Sequence, residues 1–109
     1  MAHYLLQVGY TPEAWATMLK SPQSRVGQVR PAVERLGGKI DDDKSFFTFG
    51  EYDLVTIVEF PNNEAAAAFA IAAAAGGACR AIKTTPLMTL SEGVEAMRKA
   101  AESSYRPPA

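Results

Sequence analysis

Apolar and polar positions along the chain fall into two alternating rhythms, one of period two and one of helical spacing. His3–Tyr10 (HYLLQVGY) has strand length, with Leu6, Val8 and Tyr10 alternating against Gln7 and Gly9. Thr11-Pro12-Glu13 then predicts a helix start: Thr11 caps, Pro12 suits the first helical position and Glu13 favours the positive end of the dipole. Trp15, Met18 and Leu19 share a face of that helix. Ser21-Pro22-Gln23-Ser24 breaks it, and the pattern resumes through Val26, Val29, Val33 and Leu36. Pro31 is expected to kink this second stretch or mark its first turn, and Gly37-Gly38 stops it.

Lys39–Phe49 predicts a second strand, polar at its start and aromatic at its end (Phe46, Phe47, Phe49), and Gly50-Glu51 a turn. Tyr52–Phe60 (YDLVTIVEF) is the clearest strand. Pro61-Asn62-Asn63 supplies turn and cap residues for an alanine-rich helix over Glu64–Ala75, which Gly76-Gly77 ends. Ala78–Thr85 forms a fourth strand, and Thr89-Leu-Ser-Glu92 has the spacing of a capping box that opens a terminal helix through Ala101. The alanines are expected to let their helix lie close against the sheet, with Phe69 and Ile71 as its bulky contacts.

The order β-α-β-β-α-β plus a terminal helix is the split βαβ, or ferredoxin-like, arrangement. Right-handed crossovers give one antiparallel sheet in the order 4-1-3-2, an α+β domain with a core over about 3–90 and a helix over about 90–102. Both main helices then cover one face, against Tyr4, Leu6, Val8, Leu54, Val58 and Phe60. The other face carries Leu5, Val55 and Ile57 among His3, Gln7 and Glu59, a sticky patch on a single subunit. A two-fold dimer with bare faces packed together is the economical solution. Asp41-Asp42-Asp43-Lys44 falls on an edge strand, where charge discourages wrong pairing. Consecutive aspartates lack the alternate spacing and glycine of a calcium loop.

Composition narrows the function classes. The chain has 109 residues, 11 Lys+Arg against 12 Asp+Glu, one His and one Cys. That length builds one domain, burying roughly 65% of the surface its unfolded chain exposes. A net charge of −1 argues against attraction to nucleic acid or an anionic membrane. One cysteine excludes an internal disulfide framework. No apolar run reaches membrane-spanning length and the first residues are too polar for a signal peptide, so a cytoplasmic location is expected.

Tyr10-Thr-Pro-Glu13, Leu36-Gly-Gly-Lys39, Phe49-Gly-Glu-Tyr-Asp53 and Leu54-Val-Thr-Ile-Val-Glu59 resemble the GYD domain family over roughly residues 4–90, with Gly50-Glu51-Tyr52-Asp53 as the signature. The resemblance implies a branch of the dimeric α/β-barrel superfamily, whose subunits have this fold and pair through their sheets. Two positions depart from the family's usual pattern: Ala14 in place of a frequent glycine, and Ala78-Cys-Arg80 in place of Asn-Val-Arg. Superfamily relatives that degrade haem or oxidise quinols use pocket histidine, tryptophan and asparagine. Here only Trp15 answers that description, so haem chemistry is not expected, nor any cofactor.

The topology draws Tyr10, Glu13, Tyr52, Asp53 and Arg80 to one end of the sheet, with Arg25 in reach if the Ser21–Ser24 break folds over. Glu13 and Asp53 are candidate bases, and Arg80 or a tyrosine can steady negative charge on a small acidic or enolic molecule. Tyr10, Trp15, Arg25, Tyr52 and Arg80 are the candidate ligand-binding residues. Equally, Asp53 can simply fix the turn, with Arg80 as its partner and Tyr52 as packing. His3 and Glu59 lie together on the bare face, too few for a metal site. Cys79 lies at the other end of the sheet from His3 and has no activating base, so it is a small apolar residue. Three readings follow: a homodimeric module binding a small aromatic or anionic molecule, a cofactor-independent monooxygenase or isomerase, and a structural subunit of a larger assembly.

Overall fold

The computed structural model describes residues 1–108. The elements run β1 (Ala2–Tyr10), α1 (Pro12–Lys20), α2 (Val26–Arg35), β2 (Lys39–Phe47), β3 (Leu54–Phe60), α3 (Asn63–Ala75), β4 (Cys79–Leu87) and α4 (Leu90–Glu102). The strands form one antiparallel sheet ordered β2-β3-β1-β4, the expected order read from the other edge. In register, Leu5 faces Ile57 and Val8 faces Leu54 across β1–β3, while Tyr10 faces Cys79 across β1–β4.

Alternation then decides the two faces. Tyr4, Leu6, Val8 and Tyr10 of β1 join Leu54, Val58 and Phe60 of β3 in the core, met by Met18, Val26, Val33, Ala66 and Phe69 from the helices. Tyr4 and Phe60 stack edge-on, and the Tyr4 hydroxyl donates to Asn63 Oδ1 at 2.6 Å. Thr56 is fully buried in this core, and its hydroxyl bonds the Ser45 hydroxyl at 2.7 Å. Leu5, Val55 and Ile57 lie on the opposite face, the first two half-buried and the third exposed.

The caps form as the residue types dictate. Thr11 accepts from the Ala14 amide, Asn62 from the Ala65 amide, and Thr89 and Glu92 complete a reciprocal capping box. Several local expectations need correction. Pro31 sits inside α2, which runs unbroken; the proline leaves only the Gly27 carbonyl without its helical donor, and Gly27 is exposed to water. The β2–β3 connection is not a two-residue turn but a loop over 48–53, because the Thr48 hydroxyl donates to the Tyr52 carbonyl and the Thr48 amide to the Asp53 carbonyl. Leu19 does not join Met18 in the core, and Ile71 stands 68% exposed instead of burying itself as the second bulky contact of its helix. The aspartate run bulges out of register between Ile40 and Ser45, with Asp42 held by Arg30 at 2.7 Å. Among the described residues no group of acidic, histidine or cysteine side chains is placed to hold a metal, and no helix is long and apolar enough to cross a membrane.

Candidate functional site

The end of the sheet where β1 stops is organised by a single irregularity. Gly9 pairs with Ala81 but Tyr10 pairs with Cys79, so Arg80 is an extra residue on β4. A bulge of one residue re-aims the side chains on either side of it. Cys79 therefore faces the helices, like Tyr10, while Arg80 turns to the bare face and lies across Gly9. A Cβ on Gly9 would sit 2.6 Å from the guanidinium carbon, so the glycine provides the space for this crossing.

On the bare side, Asp53 is the knot. Its amide donates to the Val8 carbonyl at 2.8 Å and its Oδ2 accepts from the Tyr10 amide at 2.8 Å. Arg80 Nη2 approaches the same oxygen at 3.5 Å and donates to the Glu51 carbonyl at 2.8 Å. The carboxylate thus satisfies a strand-end donor and anchors the 48–53 loop, with only 17% of its side chain exposed. These bonds make Asp53 a turn-fixing residue. Removing the side chain leaves the Tyr10 amide without its acceptor, so Asp53→Ala is expected to cost about 2 kcal/mol in urea unfolding. Asp53→Asn keeps an acceptor oxygen and is expected to cost about half as much. Equal losses in the two variants, or none in either, would contradict this role.

On the helix side lies a cavity of about 260 Å³ between the sheet and α2 and α3. Its walls are apolar (Leu6, Val8, Leu54, Phe69, Ala72 and Ala73 among them), and its polar groups include Tyr10, Thr56, Arg25, Gln28 and Cys79. The guanidinium of Arg25, at the N-terminus of α2, donates to Gln28 Oε1 at 3.3 Å and forms no ion pair among the described residues. Its charge acts on both Tyr10 and Cys79. Burial pushes the Tyr10 hydroxyl above its ordinary pKa, with Cys79 and Asp53 adding to the rise and Arg25 opposing it. Burial likewise raises the Cys79 thiol, again against Arg25. Both groups are therefore neutral near pH 7, leaving Arg25 as the one ionised side chain on the cavity wall.

The sequence-derived candidates are thus divided by the sheet. Tyr10 and Arg25 line the cavity; Asp53 and Arg80 meet on the other face. Trp15 packs edge-on against Tyr10, ring centres 5.4 Å apart, and borders an open hollow with Phe47, Phe49 and Asp53. Tyr52 belongs to a separate shallow hollow with Gln7 and Lys83. Glu13 is exposed on α1 and enters neither cluster. Thr56, Ala72 and Ala73 are cavity residues that the strand and helix patterns did not single out. Their signal was present: alanines at a helix face that should carry bulk leave a gap instead of closing it.

Comparison with curated proteins gives no match, and comparison with solved structures gives none either. The GYD domain matches over residues 4–99, nearly the whole of β1 to α4, and includes the Gly50-Glu51-Tyr52-Asp53 loop anchored above. The chain therefore belongs to the GYD domain family.

Proposed function

We propose that this protein is a homodimeric binding module that pairs through its bare sheet faces. Each subunit then takes one small molecule, an aromatic body with a single anionic group, into the cavity between sheet and helices. The observation that carries the ligand reading is Arg25, a cation without a carboxylate partner among the described residues, on the wall of a mostly apolar cavity. A volume of about 260 Å³ accommodates one substituted ring. An apolar cavity of ~150 Å³ already admits benzene. The Tyr10 hydroxyl, to which no described residue is hydrogen-bonded, offers a second polar contact near the anion.

Benzoate and salicylate are suitable probes, read by calorimetry and by alkylation of Cys79, which shares the cavity wall. A bound acid is expected to slow that alkylation. Arg25→Ala is expected to weaken binding by ~10–100-fold, the worth of a hydrogen bond to a charged group. Ala73→Leu is expected to abolish binding by filling the space while leaving the unfolding free energy within about 1 kcal/mol of the parent. Binding that both variants leave unchanged would place the ligand elsewhere. Native mass spectrometry of freshly purified protein supplies the subunit count and any co-purified acid together. An enzymatic reading with Asp53 or Glu13 as base draws no support from the cavity, whose walls include neither.

A further inference from the structure

α4 is a well-formed helix with nothing to lie on. Its N-terminus is closed by a complete capping box, yet none of its residues is buried and it has no extensive packing against any other element. Leu90, Val94 and Met97 fall on one side at helical spacing and are exposed, while Glu95 and Arg98 pair with each other on another side. A 13-residue helix is marginal in water without a surface to pack against. The molecule measures 58 × 33 × 25 Å, with a radius of gyration of 17.1 Å. A compact chain of this length has a radius of gyration of ~13 Å. A second, largely apolar surface also stands open: a groove of about 340 Å³ between α3 and the edge strand β4, where Ala70, Ile71, Ala74, Ala81 and Ile82 are joined by Cys79, Thr84 and the charged Arg80.

From these two surfaces we infer that α4 of each subunit seats its apolar stripe in the α3–β4 groove of a second copy. The inference rests on the sheet-to-sheet pairing proposed above. Only Met88 and Thr89 join β4 to α4, Thr89 is extended (φ −63°, ψ 160°), and the helix has no extensive packing against α3 or β4 of its own chain. A two-fold axis across the strands, in the plane between the sheets, keeps β4 over β4. It sets the departing end of one copy's β4 above the Cys79 end of the other's, beside the open groove.

Area favours the same occupant. Four strands ~4.8 Å apart and about seven residues long give the sheet a footprint of roughly 440 Å², near half of the ~800 Å² per partner of a stable interface. A helix ~20 Å long and ~10 Å wide, one given and one received, brings each copy to roughly 800 Å².

Sedimentation of the full chain and two variants tests this. Val94→Asp/Met97→Asp, confined to a helix outside the core, is expected to raise the dimer dissociation constant by ~100-fold. Ile57→Asp, on the sheet face, is expected to leave only monomer. An unchanged constant in the α4 variant, with Ile57→Asp monomeric, overturns the α4 exchange and leaves sheet pairing standing. A parent chain that sediments as a monomer overturns both. In a Cys79→Ala background, Val94→Cys with Ile71→Cys and a short bis-maleimide is expected to give a covalent dimer. A product of monomer mass only, whether cross-linked within the chain or not at all, overturns the exchange.

Discussion

Gly38→Ala is expected to destabilise the fold by about 3 kcal/mol, a large share of the 5–15 kcal/mol that holds a domain together. The amides of Gly37 and Gly38 donate to the carbonyls of Glu34 and Val33, both at 2.9 Å, the pair of hydrogen bonds that closes a helix with a left-handed residue. Gly37 is that residue, at φ +80°. Gly38 has a different duty: a Cβ there would lie 2.5 Å from the Glu59 carbonyl oxygen and 2.7 Å from Cδ1 of the buried Phe60 ring. Neither can retreat, since Glu59 is paired in the sheet with both Lys39 and His3 and Phe60 is fixed between Tyr4 and Phe69. Gly9→Ala makes a useful contrast, because its Cβ meets the far end of the Arg80 side chain, which can swing away. Urea unfolding of the two variants is the measurement. Equal and small shifts would mean that the end of β3 yields more easily than its pairing implies.

Pattern alone revealed the strands, the covered face and the sheet order, because alternation and helical spacing are local properties that burial enforces along whole elements. Tyr4, Leu6, Val8, Leu54, Val58 and Phe60 are all buried where alternation put them. What local pattern does not carry is a one-residue change of register. The bulge at Arg80 sends it to one face and Cys79 to the other, so residues that converge at one end of the sheet divide between its two sides. Asp53 is a related case. Its position was legible, but its four bonds depend on how the 48–53 loop closes, and that loop is wider than its glycine suggested. The alanines of α3 illustrate a third limit: small side chains permit either close packing or a void, and only the placement of α2 opposite them selects the void.

Ile57→Asp carries the largest consequence for assembly. Ile57 pairs with Leu5 at the centre of the bare face and is 38% exposed in a single subunit. If that face meets only water, an aspartate there is a surface substitution, worth within about 0.5 kcal/mol apart from the loss of a β-branched residue. Across a two-fold interface the same change acts twice. It removes ~2 kcal/mol of apolar burial from each copy and strands two carboxylates in a dry contact. The dimer dissociation constant is then expected to rise by at least ~1,000-fold, turning a micromolar sample into monomer by sedimentation velocity. Ile57→Thr, which keeps the branched shape and carries no charge, is expected to weaken the dimer without abolishing it. Unfolding gives an independent reading: the parent's midpoint should climb with protein concentration, whereas that of Ile57→Asp should not. Midpoints independent of concentration in the parent itself would show that the exposed sheet face is stable in water alone, and the cavity would then have to work within a single subunit.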